Sequence, residues 1–141
     1  MKVQLNSLLR QKKGFESGDP ATHDAILEAE KTLGLVFSEE YKQYLSEFGA
    51  VTFVGHTLTG ISPFPGLNVV LVTQEMREYN PEVKNNLYVI EEAHIDGIVV
   101  WQDESGAVYL TAPNQKAQII ADSLADYLAD DTEPDVDDVP E

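Results

Sequence analysis

The sequence predicts an α+β fold: a single domain with a twisted, mostly antiparallel sheet and helices packed against it. Three observations carry this expectation. Helical apolar spacing dominates up to Gly49, three short apolar runs separated by glycine-bearing turns lie between Leu87 and Leu110, and a helical pattern returns before an acidic end. A length of 141 residues suits one domain and is short for two. With 43% apolar and 24% charged residues, the chain has enough hydrophobic material for a packed core.

Val3 to Lys12 is read as a first helix, with Val3, Leu5, Leu8 and Leu9 as its apolar stripe and Gly14 as its stop. Phe15 to Pro20 is a loop. Asp19-Pro20 supplies a capping side chain and a first-turn proline for the next helix, with Thr22 as the competing cap. Ile26, Ala29, Glu30 and Leu33 follow at helical spacing and Gly34 ends the run. Ser38 caps a further helix, in which Tyr41, Tyr44, Leu45 and Phe48 repeat at i, i+3, i+4, i+7 before Gly49. Val51 to Ile61 reads as short strands joined by a tight turn. Pro63 and Pro65 remove backbone donors from Ser62 to Gly66, which excludes regular structure there. Of Leu67 to Tyr79, the half from Thr73 onward is assigned to helix, while Val69, Val70 and Val72 favour a strand.

Leu87 to Ile90, Ile98 to Trp101 and Ala107 to Leu110 are the three strands of the sheet. Glu104-Ser105-Gly106 between the last two is hairpin chemistry, with the glycine in the left-handed position. Trp101 is expected to pack in the sheet with its N–H hydrogen-bonded. A final helix is placed over Ala121 to Ala129, with Ile119, Ile120, Leu124, Tyr127 and Leu128 facing the core. The domain is therefore drawn over residues 1–129. Asp130 to Glu141 (DDTEPDVDDVPE) combines two prolines with dense like charge and is read as a disordered acidic tail.

The charge narrows the function. Nine Lys and Arg against 25 Asp and Glu give a formal net charge of −16. Residues 1–70 carry six basic and eight acidic side chains, a net of −2; residues 71–141 carry three and 17, a net of −14. Such a field repels phosphates, so neither nucleic acid nor an anionic membrane is an expected partner. With no cysteine, the chain has no disulfide, thiolate zinc site or cysteine nucleophile. The N-terminal stretch lacks the continuous apolar core of a secretory signal, and the longest apolar run, Val69 to Val72, falls far short of the ~20 residues that span a bilayer. A cytoplasmic location is expected.

The search for chemistry returns little. His23 and Asp24 are adjacent on a helix and diverge by about 100°, so they do not form a coupled pair. His56 lies near serine and threonine, but no nucleophile-elbow pattern accompanies it. His94 and Asp96 share an i, i+2 spacing without the further ligands a zinc site needs. Gly14 to Gly18 lacks the Lys-Thr continuation of a phosphate loop. The acidic tail lacks the glycine-centred spacing of a calcium loop. No catalytic residue, metal site or cofactor is assigned. What remains is a set of carboxylates at the ends of neighbouring strands: Glu91, Glu92, Asp103 and Glu104, with Asp96 and Tyr109 nearby. These are the candidate partner-binding residues, with solvated loop charge as the plain alternative and the general acid and base of a carboxylate-dependent hydrolase as a third, lesser reading.

Read as one string, Ile26 to Gly49 (ILEAEKTLGLVFSEEYKQYLSEFG) resembles the opening signature of the SUKH superfamily, which includes the yeast cell-wall-synthesis regulator. Glu30, Leu33, Gly34, Tyr41, Leu45 and Gly49 occupy the signature positions, with Phe37-Ser38 where the pattern often has Leu-Pro. Leu58 to Ile61, Tyr88 to Glu91, Val100 to Gly106, Val108-Tyr109 and Asp122 to Leu128 continue the resemblance, which covers roughly residues 20–130. It implies a non-catalytic α+β domain. In bacterial members it implies an immunity protein that binds a cognate secreted toxin, here expected to be a basic nuclease, an RNase ahead of a DNase. In eukaryotic relatives it implies a regulatory or scaffold module, the alternative function.

Overall fold

Capping chemistry sets most of the helix boundaries. A computed structural model of the chain describes residues 4–92, 97–113 and 116–132. Helix α1 spans Leu5–Arg10, shorter than the predicted Val3 to Lys12, and Val3 lies outside the described residues. Helix α2 spans His23–Leu33, and its N-cap is Thr22, whose hydroxyl accepts from the Ala25 N–H at 3.1 Å. Asp19-Pro20 therefore precedes the helix instead of opening it. Gly34 closes α2 at φ 72°, the left-handed position that glycine fills most cheaply. Ser38 caps α3, Glu39–Phe48, by accepting from Tyr41 N–H at 3.0 Å, and Tyr41, Tyr44, Leu45 and Phe48 are its buried face.

Helix α4 corrects the sequence reading. It spans Val69–Tyr79, so the valines assigned to a strand are its first turns. The reason is Asn68, whose side-chain oxygen accepts from the N–H groups of Val70 and Leu71 at 3.0 and 3.1 Å and so nucleates the helix against β-branched propensity. A short 3₁₀ turn over Pro65–Leu67 leads into it.

Two antiparallel sheets form. Strands β1 (Glu16–Ser17), β2 (Val51–Phe53) and β3 (His56–Leu58) make the first; Glu16-Ser17, read as loop from sequence, pairs with Val51-Thr52. Strands β4 (Tyr88–Glu92), β5 (Val99–Gln102), β6 (Val108–Thr111) and β7 (Gln118–Ala121) make the second, in sequential order. The two are linked where Thr59 N–H donates to Ile90 O at 2.8 Å and Thr59 Oγ1 donates to Val89 O at 2.7 Å. Helix α5 spans Leu124–Thr132, starting and ending later than the predicted Ala121 to Ala129, and residues 133–141 of the predicted tail lie outside the described residues. Gln118–Ala121 is a second correction: Ile119 and Ile120 belong to an edge strand, not to the helix approach, and both are exposed instead of facing the core. Pairing with Tyr109 and Leu110 across a hairpin selects the extended form that suits adjacent β-branched residues.

The second sheet is covered on both faces. Tyr88, Ile90, Val100 and Val108 join the main core with α1, α2, α3 and α5, whereas Val89, Val99 and Trp101 pack on Val72 and Met76 of α4. Trp101 is fully buried and its indole N–H donates to Thr111 Oγ1 at 2.9 Å. Among the described residues, no helix is long and apolar enough to cross a membrane.

Candidate functional site

The carboxylates singled out by sequence do not share one place. Strands β4 and β5 are neighbours, but the antiparallel register pairs Glu92 with Val99 and Tyr88 with Gln102. Glu91 and Glu92 therefore lie at one end of the sheet, and Asp103 and Glu104 at the other. Asp96 and His94 lie outside the described residues.

Glu91 is also turned inward. Simple alternation along Tyr88 to Glu92 would send it to the face opposite Ile90. A register shift between Val89 and Glu91 makes a β-bulge that pairs Glu91 with Val100, on the main-core side. There it is only 5% exposed, its Oε2 sits 2.5 Å from His56 Nδ1, and its Oε1 accepts the Tyr127 hydroxyl at 2.8 Å. The His56 ring in turn stacks on Phe53, with centroids 4.9 Å apart. This cluster ties β3, β4 and α5 together. Its residues were weighed separately in the sequence, and only the bulge, which no local pattern announces, unites them. His23 and Asp24 are simply exposed in the first turn of α2.

The other end of the sheet does gather polar groups. Asp103 Oδ1 accepts from Ser105 Oγ at 2.6 Å and from the N–H groups of Ser105 and Ala107 at 3.0 and 3.2 Å, while Oδ2 accepts the Tyr109 hydroxyl at 3.0 Å. Partial burial alone would raise its pKa, but these hydrogen bonds outweigh burial and hold the carboxyl below its usual range. Burial first, and then the neighbouring Asp103 charge, raises the Tyr109 hydroxyl. Glu104, at the tip of this turn, is exposed. The turn adjoins the end of β7, because Val108 pairs with Ala121 and a Cβ on Gly106 would sit 3.5 Å from Asp122 O. Asp103, Glu104 and Asp122 thus share one corner of the molecule.

Beside that corner lies an open depression of about 520 Å³, lined by Ile119, Ile120, Ala121, Asp122, Asp126 and Ala129. Beneath it the scaffold is firmly held. Glu40 Oε1 accepts from Leu124 N–H and Gln102 Nε2 at 2.8 and 2.9 Å, and Oε2 accepts from Ala125 N–H at 3.0 Å, so α3 supplies the capping carboxylate of α5. Sequence reading missed this cap because the partners are more than eighty residues apart. Among the described residues, no group of three or more His, Asp or Glu is arranged to hold a metal ion. What the corner offers is charge and shape: carboxylates, a tyrosine and two exposed isoleucines.

A family model described as SUKH_5, SMI1-KNR4 cell-wall, matches residues 1–133. No curated protein matches the chain.

Proposed function

The chain belongs to the SUKH_5 family, and from that premise we propose that it is an immunity protein that neutralises a basic nuclease toxin by direct binding. The SUKH family is associated with toxin-immunity systems, its members generally pair with a cognate toxin, and its immunity proteins are non-catalytic. The finer reading, a nuclease, RNase ahead of DNase, whose cationic groove is covered, rests on charge.

One observation carries it: residues 71–141 hold 17 acidic and three basic side chains, and Lys116 is the only Lys or Arg after Lys84. A nuclease that grips phosphates presents Lys and Arg, and a carboxylate surface is complementary to that groove. Opposed fields speed encounter and fade as salt rises. Close charge pairs across such an interface couple by on the order of 1.5–7 kcal/mol, enough to separate a cognate toxin from a related one.

Within this reading the contact centres on Asp103, Glu104 and Tyr109. Asp103 is the group whose geometry is set in advance, so it presents charge with little ordering cost. Glu92 adds charge from the opposite end of the sheet, Asp96 adds to the acidic balance of the second half, and Glu91 contributes by fixing β4 against α5. The test is to mix the purified chain with the toxin domain encoded beside its gene and follow cleavage of RNA and of DNA. The expected result is a stoichiometric complex and loss of RNA cleavage. Undiminished cleavage of both substrates with no complex overturns the proposal.

A further inference from the structure

We infer that strand β7 is a docking edge for an extended, cationic segment of a partner protein, which adds to the sheet as a fifth strand. The occupant's identity as part of a toxin rests on the function proposed above; its chemistry does not.

Strand β7 ends its sheet, and among the described residues no strand pairs with its outer edge. Open edges are commonly blunted by lysine or proline within the strand. Gln118-Ile119-Ile120-Ala121 contains neither, and Ile119 is 59% and Ile120 38% exposed. A bulge opposite Val108 and Tyr109 leaves Ile120 without a partner on β6 and gives both isoleucines to the wall of the depression beside α5. Apolar side chains beside unpaired backbone donors and acceptors are the requirements for strand addition: the main chain supplies affinity and alternate side-chain pockets supply selectivity.

Charge selects among the possible occupants. Asp122 and Asp126 are the charged residues of the depression's lining, and Glu104 stands at the adjoining turn. A second copy of the chain would bring its own Asp122 and Asp126, and a formal charge of −16, against the first. The chain's own residues 133–141 contain five acidic side chains and no basic one. Both meet repulsion. Because isoleucines and carboxylates line the same depression, an added strand meets both when its depression-facing side chains include an aliphatic residue and a Lys or Arg.

The experiment titrates the full chain, isotopically labelled, with a short peptide of Val-Val-Arg-Arg repeats, which carries both residue types on each face of a strand, and follows backbone amide resonances. Saturable shifts centred on Gln118–Ala121 and the Asp122–Asp126 segment are expected. A Val-Val-Glu-Glu peptide is expected to leave the spectrum unchanged, and a Val-Val-Arg-Arg peptide methylated on alternate backbone nitrogens to bind at least roughly tenfold more weakly. Ile119→Lys and Ile120→Lys, both surface changes whose folding the same spectra report, are expected to weaken binding by a similar factor. Equal binding of the methylated peptide, shifts centred elsewhere, or concentration-dependent shifts at β7 without peptide would each overturn the inference. Peptide binding without toxin neutralisation would sink the proposed function alone; neutralisation without peptide binding would sink this inference alone.

Discussion

Two regions of the molecule treat polar groups in opposite ways. Around α3, polar atoms are buried and paired. The Tyr44 hydroxyl donates to Thr59 O at 2.8 Å and accepts from Val51 N–H at 3.0 Å; the Tyr88 hydroxyl donates to Gln102 Oε1 at 2.8 Å and accepts from Ser38 N–H at 2.9 Å. Tyr41 stacks on Tyr44 with ring centroids 5.3 Å apart, and burial drives the hydroxyls of all three tyrosines above their usual range, so they remain protonated donors. At the β7–α5 corner the arrangement is reversed. Isoleucines face outward, carboxylates face water, and the backbone edge is open. The first region spends its chemistry on joining helices to sheets; the second leaves its chemistry unspent, which is the condition of a recognition surface.

Four experiments sharpen or break that contrast. The largest effect belongs to the junction itself. A Cβ on Gly60 would sit 1.7 Å from Gly49 O, a backbone atom that already accepts from Ile61 N–H. Gly60→Ala is expected to cost more than about 4 kcal/mol and to abolish cooperative thermal unfolding at ambient temperature. Next, Glu40→Ala removes the acceptor of the Leu124 and Ala125 N–H groups, leaving Ser123 Oγ as the cap of Asp126 N–H, and strands one Gln102 donor, an expected loss of about 2–3 kcal/mol in urea denaturation. Glu104→Lys, by contrast, is expected to leave stability within about 0.5 kcal/mol while weakening toxin binding roughly tenfold. A destabilisation by Glu104→Lys as large as that of Glu40→Ala would erase the distinction between the regions.

The smallest effect is a titration. Because hydrogen bonds from Ser105 and Tyr109 outweigh burial, the folded Asp103 carboxyl ionises below its ordinary 3.8. A group lowered by folding stabilises the native state above its unfolded pKa, and that contribution is lost as pH falls through the folded value. Combining Ser105→Ala with Tyr109→Phe is expected to raise the Asp103 pKa, read by carboxyl resonances, and to flatten the acid limb of stability below pH 4 (~3.9 being the unfolded midpoint). An unchanged midpoint would show that the turn does not organise this carboxylate.

The fold was legible where a period or a cap is local. The tyrosine face of α3 and the Gly34 stop of α2 can be read from a few residues, and so can the β5–β6 hairpin turn. Long-range pairing is what hid the rest. Nothing near Glu91 announces the bulge that turns it toward His56 and Tyr127, and nothing near Glu40 points to Leu124. Ile119 and Ile120 match a helix approach in sequence, and only the pairing of Ile119 with Tyr109 and of Gln118 with Leu110 makes their segment a strand. For the site, the acidic bias of the second half was visible in composition, but its division between two ends of a sheet is a property of register.

Hydrogen exchange of the full chain, free and bound to the toxin domain encoded beside its gene, tests most directly whether recognition belongs to the acidic corner. New amide protection is expected at Gln118–Ala121 and around Asp103–Ala107, with the buried α3 junction unchanged. Protection arising instead over α1 and α2, with β7 and the Asp103 turn exchanging as in the free protein, would contradict that assignment.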